Sequence, residues 1–551
     1  MSNTNSSGLI TQNSSTNNAK YISIIPENGT EFVAGQKMVF NIDPSIGWIK
    51  GRDSYLTFEI ENVSAKMNLT LKNGGISSII KQVNIFSAQN GMLLETLDNY
   101  NQWTACEMQY RYDDPTQLTN IEGCPNSIFS RRGFIVAAQT GTFQNWRNNY
   151  YQPESHRLTQ VNSGGIAQNG PVRFSCPLRC GIFRHWDEES LVPVLQMGGL
   201  RIELIMADNL EVMDMAWSGK TRVGHISNNM IMGGSDTTLM LSVDDFLATD
   251  TTVLLSDAAL NVEDTGFMVG QTIALAKLFN DATPETLVIS GMDKPADKVR
   301  LTFTTAIGAA TTTTTQCSIR LDNATMMTEA NIKYKITNAE FRLLQEMPPD
   351  NKMKNLDYVF TSYDLFRDTI PGSQLNYNQD ITSTASKAVS IFTMYEDPQY
   401  DAISHFPNQH YYQGITPDEQ GVNLNSVVYF INNRLYPLRP YNPQRCNDKV
   451  INHNEVVKAF GTLNLPVKSL GCNEASSLDC YTNRYLHARE LARGDSVFSL
   501  QNAEPQIRIG FSAIRGTDKR SKQIGNMKMN SFVFSKKVLH IDGDSGLSLE
   551  H

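Results

Sequence analysis

The chain has 551 residues, of which 40% are apolar and 19% are charged. This composition excludes a disordered chain, and the length is enough for two to four domains. Lys and Arg number 47 against 56 Asp and Glu, so the formal net charge of −9 excludes the basic excess that non-specific nucleic-acid binding needs. The sequence has no apolar run long enough to predict a transmembrane segment.

Residues 1–19 consist mainly of Asn, Ser and Thr and carry no charged side chain. Such a composition cannot bury enough apolar surface to offset the entropy lost on ordering, so it predicts a flexible N-terminal arm. The same segment lacks the basic and apolar regions of a secretory signal. We therefore expect a protein that is made inside a cell and is not secreted.

From Tyr21 onward, apolar and polar residues alternate with the period of two that is typical of half-buried strands. Strands are predicted at residues 31–42, 54–63, 81–85, 92–94, 172–182, 200–204 and 332–343. The alternation shifts by one residue at Thr337-Asn338, within the last of these strands. Asn73-Gly74 and Asn90-Gly91 have the sequence of type I′ turns, and a helix is predicted at residues 99–110.

Residues 208–330 differ from this pattern because they are rich in Asp, Thr and Ala and include a run of threonines at 311–315. They contain strand patterns of their own at residues 299–304 and 317–321. A segment of this length between two strands is uncommon unless it has a function. We expect an ordered, surface-exposed lobe that is inserted into the first domain.

A second series of strands follows Pro348-Pro349, at residues 387–395, 426–438, 506–513 and 531–541. A second helix is predicted at residues 482–492. Short alternating strands with few helices indicate an all-β chain of antiparallel sandwiches or jelly rolls. The proline pair marks the boundary between two domains, which we expect at residues 20–347 and 348–551.

Cysteine usage is ordinary for an intracellular protein, with eight cysteines in the chain. Cys176 and Cys180 lie at apolar positions of the strand predicted at 172–182, which predicts two buried free thiols. Four residues of strand span about 13 Å, which is too far for a disulfide or for two ligands of one zinc ion. Cys472 and Cys480 have no paired CxxC or His pair nearby, so we expect no zinc site there.

The sequence contains no phosphate-binding loop, no HExxH and no dinucleotide-binding glycine pattern after a strand. His185-Trp-Asp-Glu-Glu189 is the densest polar cluster, and we interpret it as a solvated loop rather than a metal site. The basic run Lys519-Arg520-Ser-Lys522 is also interpreted as a solvated loop.

Two features near the end of the chain are weak candidates for chemistry. Gly543-Asp-Ser-Gly546 resembles the nucleophile segment of trypsin-like proteases, but a turn after the last strand explains it better. Asp542 and Asp544 are only two carboxylates, which make a weak site for a divalent ion. We therefore expect no catalytic, cofactor-binding or metal-binding residue and no cofactor.

Five segments resemble one known family in their order and spacing: Leu191-Val-Pro-Val194, Gly198-Gly-Leu-Arg-Ile-Glu-Leu204, Tyr334-Lys-Ile-Thr-Asn-Ala-Glu340, Ser383-Thr-Ala-Ser-Lys-Ala-Val-Ser390 and Phe430-Ile-Asn-Asn-Arg-Leu-Tyr-Pro437. They are similar to segments of the double jelly-roll major capsid proteins of polinton-like viruses, virophages and adintoviruses. The resemblance covers residues 20–545, with no matching piece in 208–330.

The resemblance implies two tandem, vertical, eight-stranded jelly rolls in a chain that assembles as a homotrimer. Such a trimer would be a pseudo-hexameric capsomer that tiles an icosahedral virus shell around a double-stranded DNA genome. The protein would then lie in the virion, with penton and minor capsid proteins as partners and with no enzymatic activity or sequence-specific DNA binding. The lobe at 208–330 would form part of an outer tower, and the arm at 1–19 would face inward.

Two other functions remain open from the residues alone. A glycan-binding β-sandwich could stack sugars on exposed aromatic side chains, with Tyr150, Tyr151, Tyr411 and Tyr412 as candidates. A β-sandwich hydrolase would need two carboxylates that face one cleft, and the sequence singles out no such pair.

Overall fold

The structure is a computed structural model. It describes residues 19–63, 69–71, 75–111, 135–137, 143–146, 171–187, 191–215, 230–232, 239–243, 250–255, 262, 267, 269–276, 285–308, 317–321, 331–346, 355–371, 374, 376–396, 424–432, 434–441, 446–465, 486–492, 497–501, 503, 505–511, 527–542 and 546–550.

Strands dominate the part of the chain before residue 216. They are β1 Lys20–Ile24, β2 Glu31–Val33, β3 Lys37–Ile42, β4 Trp48–Asn62, β5 Leu69–Leu71, β6 Ile80–Ser87, β7 Leu93–Leu97, β8 Ile135–Ala137, β9 Phe143–Trp146, β10 Val172–Pro177, β11 Leu191–Val192, β12 Leu200–Met206 and β13 Met213–Met215. Helices α1 Tyr100–Arg111 and α2 Asn209–Val212 and the 3₁₀ turns Pro44–Ile46 and Gly75–Ile79 lie between them.

The rest of the chain is equally rich in strands. They are β14 Met230–Met232, β15 Leu239–Val243, β16 Thr252–Leu254, β17 Thr272–Ala276, β18 Glu285–Asp293, β19 Arg300–Phe303, β20 Cys317–Leu321, β21 Tyr334–Glu346, β22 Asn355–Ile370, β23 Asn376–Asp380, β24 Ala388–Glu396, β25 Leu424–Ile431, β26 Arg434–Tyr441, β27 His487–Glu490, β28 Gln506–Phe511, β29 Met527–Asp542 and β30 Gly546–Glu550. Helix α3 Cys446–Gly461 follows β26.

Two facing antiparallel sheets form the first half, with strand orders β1-β21-β4-β10 and β3-β12-β6-β7. If the eight strands are lettered B to I in chain order, these orders are B-I-D-G and C-H-E-F. This is the arrangement of a jelly roll, in which eight strands form two Greek keys. The rings of Phe40 and Phe341 meet edge to face between the two sheets, with centroids 5.9 Å apart.

The second half repeats this order. Its sheets run β22-β29-β24-β27 and β23-β28-β25-β26, which are again B-I-D-G and C-H-E-F. A helix follows strand F in both halves, α1 in the first and α3 in the second. The chain is therefore an all-β double jelly roll, as the sequence predicted, and we call the halves the first and second roll and their sheets BIDG and CHEF.

The insertion between strands H and I of the first roll contains a seven-stranded sheet of order β14-β15-β20-β17-β18-β19-β16. Ile273, Leu287 and Phe303 are among its buried apolar residues. The strands predicted at 299–304 and 317–321 are present as β19 and β20. That this lobe is exposed on an outer surface stays a prediction, and so do the domain boundaries, because residues 347–354 and 1–18 lie outside the described residues.

Three local predictions need correction. The segment at 482–492 contains strand β27, and the second helix lies instead at Cys446–Gly461. Pairing of Thr393 with His487 places this short segment in the sheet, where tertiary contacts override a helical pattern. The strand from Val172 ends at Pro177, so Cys180 lies beyond it, just before the turn that begins at Gly181. The Asn90-Gly91 turn has positive φ only at Gly91, so it is not a type I′ turn.

One predicted irregularity is confirmed. The pairing of β21 with β4 shifts register between Thr337 and Glu340, where the sequence alternation also shifts. Asn338 has a φ of 50° there, a left-handed conformation that Asn tolerates better than most residues.

The core of the second roll contains a polar contact between its two sheets. His487 is fully buried, and its ring nitrogens lie 2.7 Å from the hydroxyl groups of Tyr395 and Tyr429. Burial lowers the pKa of His487 from 6.5 to about 3. The imidazole is therefore neutral in the folded protein at neutral pH, where it accepts a hydrogen bond at one nitrogen and donates one at the other.

His487 is predicted to make the protein less stable as the pH falls from 6.5 towards 3. In this window the unfolded chain takes up a proton that the folded chain does not, which costs about 1.4 kcal/mol per pH unit. Urea unfolding of the wild type and of His487→Gln at pH 4 to 7 should therefore show a shallower loss of stability with acid in the variant.

His540→Gln is the matched control. The pKa of the exposed His540 is raised, first by its hydrogen bond with Asp357, so this histidine favours the folded state in acid. The His540→Gln variant should therefore still show the loss of stability in acid that His487 causes. An equal pH dependence of the free energy of unfolding in the wild type and in His487→Gln would contradict a neutral imidazole at His487.

Candidate functional site at the junction of the two rolls

One continuous apolar cluster extends from the interior of the first roll to the outer face of a sheet of the second roll, whose own interior is a separate cluster. The segment Leu178 to Asp187, which follows strand G of the first roll, and helix α1 pack against the BIDG sheet of the second roll. In that sheet, Val533 faces the interior of the second roll, whereas Phe532 and Phe534 face the first roll. The sheet is therefore buried on both faces, and we call this contact the junction.

Trp103 of α1 lies at the centre of the junction and is fully buried. Its aromatic neighbours come from both rolls, with ring centroids at 4.6 Å for Phe534, 5.0 Å for Phe392, 5.6 Å for Phe532, 6.0 Å for Tyr363, 6.1 Å for Phe460 and 6.4 Å for Trp186. Large aromatic side chains bury much apolar area and gain further from edge-to-face contacts. This cluster makes the junction an apolar core in its own right.

A buried carboxylate arranges the side of the junction that the first roll provides. Glu107 lies one helical turn after Trp103 and accepts hydrogen bonds from Trp103 Nε1 at 3.2 Å and Trp186 Nε1 at 2.9 Å. Its other oxygen lies 2.7 Å from His185 Nε2 and 3.8 Å from Arg179 Nε. Glu107 thereby fixes the orientation of both tryptophans and binds α1 to the segment after strand G.

A second buried carboxylate joins the two rolls directly. Glu95 of β7 accepts hydrogen bonds from the backbone N–H groups of Gly181 and Ile182, both at 2.8 Å, and from Ser362 Oγ of the second roll at 2.6 Å. Burial raises the pKa of Glu95, although these three donors favour the charged form. The contact couples strand F, the segment after strand G and β22.

Polar contacts continue along the junction. Asp187 accepts hydrogen bonds from the backbone N–H of Thr361 at 2.9 Å and from its hydroxyl at 2.8 Å. The hydroxyl of Tyr358 donates to the carbonyl of Ile182 at 2.8 Å. Asn530 Nδ2 donates to Gln102 Oε1 at 2.8 Å. These bonds pair polar groups that burial would otherwise leave without a hydrogen-bond partner, and they fix the register between the rolls.

Gly181 lets the two backbones approach each other. A Cβ atom at this position would overlap the carbonyl oxygen of Thr361 and lie 2.7 Å from a ring atom of Phe360. Only glycine fits at this point without displacing β22. This requirement could not be recognised in the sequence, because it depends on Phe360 and Thr361 of β22, which are distant from Gly181 in the chain.

The structure changes the interpretation of the cluster at residues 185–189. His185 is 5% exposed and Trp186 is 1% exposed, so these two residues do not lie in a solvated loop, and Glu188 and Glu189 lie outside the described residues. The described polar side chains of the cluster bind Glu107 and Thr361 instead of solvent. The spacing of Trp103 and Glu107 on one helix face was the signal that sequence reasoning missed.

The other sequence candidates divide into two groups. Cys176 and Cys180 are buried and are not joined by a disulfide, as predicted. The pair Cys472 and Cys480, the basic run at 519–522, residues 543–545 and the four candidate sugar-binding tyrosines lie outside the described residues. Among the described residues, no three His, Cys, Asp or Glu side chains form a group that could hold a metal ion. Within that part of the chain, no helix has the length and apolar character of a membrane span.

The buried acidic side chains of the junction accept hydrogen bonds from backbone, hydroxyl and indole groups of the protein. Replacing Glu107 by Gln keeps its size but removes the negative charge that faces Arg179 and His185. The free energy of unfolding is expected to fall by about 3–5 kcal/mol, as when one member of a buried ion pair is lost. Urea unfolding of the full chain measures this change.

Glu61→Gln is the matched control, because Glu61 is partly exposed and lies 2.9 Å from Lys335 in a surface ion pair. Its loss should cost less than about 1 kcal/mol. A loss at Glu107 as small as that at Glu61 would contradict the structural role assigned to Glu107.

No family model matches the sequence, and no curated protein is similar to it. Solved structures of virus capsids and of major capsid proteins resemble the chain. The PBCV-1 virus capsid matches 97% of this chain and 96% of its own at 9% identity and a TM-score of 0.46. The match to the structure of the Sputnik virophage covers 97% of this chain and 88% of that chain, at 10% identity and a TM-score of 0.44. The match to the mavirus major capsid protein covers 96% of this chain and 90% of that chain, at 10% identity and a TM-score of 0.36.

The Sputnik and mavirus structures come from virophages, one of the virus groups whose major capsid proteins the five sequence segments resemble. Because their TM-scores are below 0.5 and their identities are near 10%, the fold is assigned from the strand order of the two rolls.

Proposed function

We propose that this chain is a major capsid protein that assembles as a homotrimer and tiles an icosahedral virus shell around a double-stranded DNA genome. The observation that carries the proposal is the tandem repeat of one jelly roll, with the same strand order twice in one chain. Three chains of two rolls each make a ring of six similar lobes, a pseudo-hexagonal tile.

The junction supports this function. A shell wall needs building blocks whose lobes keep a fixed orientation, and a shared aromatic core with buried carboxylates supplies that rigidity between the two rolls. The role is structural rather than enzymatic, in agreement with the use of the buried acids as hydrogen-bond acceptors for backbone and indole groups.

The remaining parts of the chain have roles within the same proposal. The insertion between strands H and I, with its own sheet, would form part of a tower on the outer surface of the shell. The arm at residues 1–19 would face inward, where it could join capsomers or meet minor capsid proteins. Penton proteins would fill the five-fold positions, and the protein would be found in the virion.

The test is the molar mass of the purified full chain by size-exclusion chromatography with light scattering, followed by negative-stain imaging of the same peak. We expect a mass near three times 61.6 kDa and pseudo-hexagonal outlines. A monodisperse monomer of 61.6 kDa that forms neither plates nor shells would overturn the proposal, and glycan binding would then be tested on an array.

A further inference from the structure

Strand β30 is held to the rest of the protein by one apolar face. Leu547 and Leu549 are partly buried against the apolar cluster that runs through the junction. Gly546, Ser548 and Glu550 alternate with them and are exposed. Among the described residues, β30 pairs with β29 alone, over five residues. A short strand with one neighbour and an exposed face is the kind of element that opens locally while the rest of a protein stays folded.

Four charged side chains form a chain of contacts across the exposed face of β30. His540 of β29 lies between two carboxylates, with Nδ1 2.7 Å from Asp357 of β22 and Nε2 3.4 Å from Glu550 of β30. Glu550 also lies 3.0 Å from Nζ of Lys387, the residue before β24. Asp542 lies two residues along β29 from His540, on the same face of that strand. We call His540, Asp357, Glu550 and Lys387 the clasp, because they link β30 to its neighbours.

The contact between the clasp and β30 depends on the protonation of His540. A charged imidazole donates from both ring nitrogens, so it can bond to Asp357 and Glu550 at once. A neutral imidazole has only one N–H. The shorter contact keeps this hydrogen on Nδ1, facing Asp357, and the lone pair on Nε2 then faces the carboxylate of Glu550. Loss of the proton therefore replaces an attraction on β30 by a repulsion, while the contact with β22 persists.

The surroundings of His540 favour its charged form. The pKa of His540 is raised above 6.5, first by its hydrogen bond with Asp357, and Glu550 contributes in the same direction. The pKa of Glu550 is lowered, first by its hydrogen bond with Lys387. Carboxylates and lysines keep their charge between pH 6 and 9, so His540 is the member of the clasp that titrates there. The stabilisation by His540 is complete below pH 6.5 and is lost as the pH rises through its raised pKa.

We propose that β30 is a pH-sensitive strap, which the clasp holds over the junction in acidic solution and which opens more often as the solution becomes alkaline. Opening would expose Leu547, Leu549 and the edge of β29 while both rolls stay folded. The geometry that carries the proposal is one imidazole placed between a carboxylate of the sheet and a carboxylate of the strap. Exposed ion pairs are weak, so the opening equilibrium should change about two- to fivefold. The strap does not depend on the capsid role.

Hydrogen–deuterium exchange of the full chain, read by mass spectrometry on peptides that contain residues 546–550, measures this opening. The variant is His540→Gln, whose side chain is polar but cannot carry the charge. Its exchange rate is divided by that of the wild type at the same pH, so that the intrinsic pH dependence of exchange cancels. We expect a ratio of about two to five at pH 6 and of about one or less at pH 9.

His453→Gln is the matched control, because His453 is a partly buried histidine of α3 outside the clasp. Its ratio for residues 546–550 should be close to one at both pH values. Glu550→Gln is the second variant, since it removes the carboxylate of the strap and leaves His540 in place. Its ratio should also be higher at pH 6 than at pH 9.

Circular dichroism confirms that each variant is folded, and Glu550→Gln replaces His540→Gln in the comparison if the latter is not. A ratio close to one at pH 6 in the folded variants would overturn the proposal. A raised ratio that is equal at pH 6 and pH 9 would overturn it as well, because the shape of the side chain and not its charge would then hold the strap.

Discussion

The close approach of the first roll to strand β22 is the constraint on which the rest of the structure depends. Glu95 is bonded at once to the backbone of Gly181 and Ile182 and to Ser362, so three distant parts of the chain meet at one carboxylate. Gly181, Ile182 and Ser362 are all buried. Movement of any one of them would leave a buried polar group without its hydrogen-bond partner. The orientation of one roll relative to the other is a consequence of this contact.

The two rolls have the same strand order but different surfaces, and the junction explains the difference. The second roll has phenylalanines on the outside of its BIDG sheet because the first roll covers them, as at Phe532 and Phe534. On the first roll the same face has ion pairs such as Arg342 with Glu340, which tolerate water. The two rolls thus share one strand order, but the outer BIDG face is apolar and covered in the second roll and charged in the first.

The positions of many strands could be predicted from the sequence because side-chain alternation is local, whereas the two tandem jelly rolls were implied by the resemblance to a known family. The bulge at Asn338 and the burial of Cys176 followed from that alternation alone. The junction could not be predicted in this way. The partner of His185 is Glu107 of α1, which is 78 residues away in the chain, and local alternation does not reveal such a contact. Helix α3 was missed because its first turns are rich in Asn and Asp, which have low helix propensity, although its apolar residues recur at helical spacing.

Calorimetry of the full chain tests most directly whether the junction makes the two rolls one unit. We expect a single endotherm for the wild type, in which both rolls unfold together. We expect separate endotherms for Gly181→Ala, because its added methyl group would force β22 away. Gly461→Ala, which meets no atom within 4 Å, should behave as the wild type. Two separate endotherms in the wild type would contradict the account.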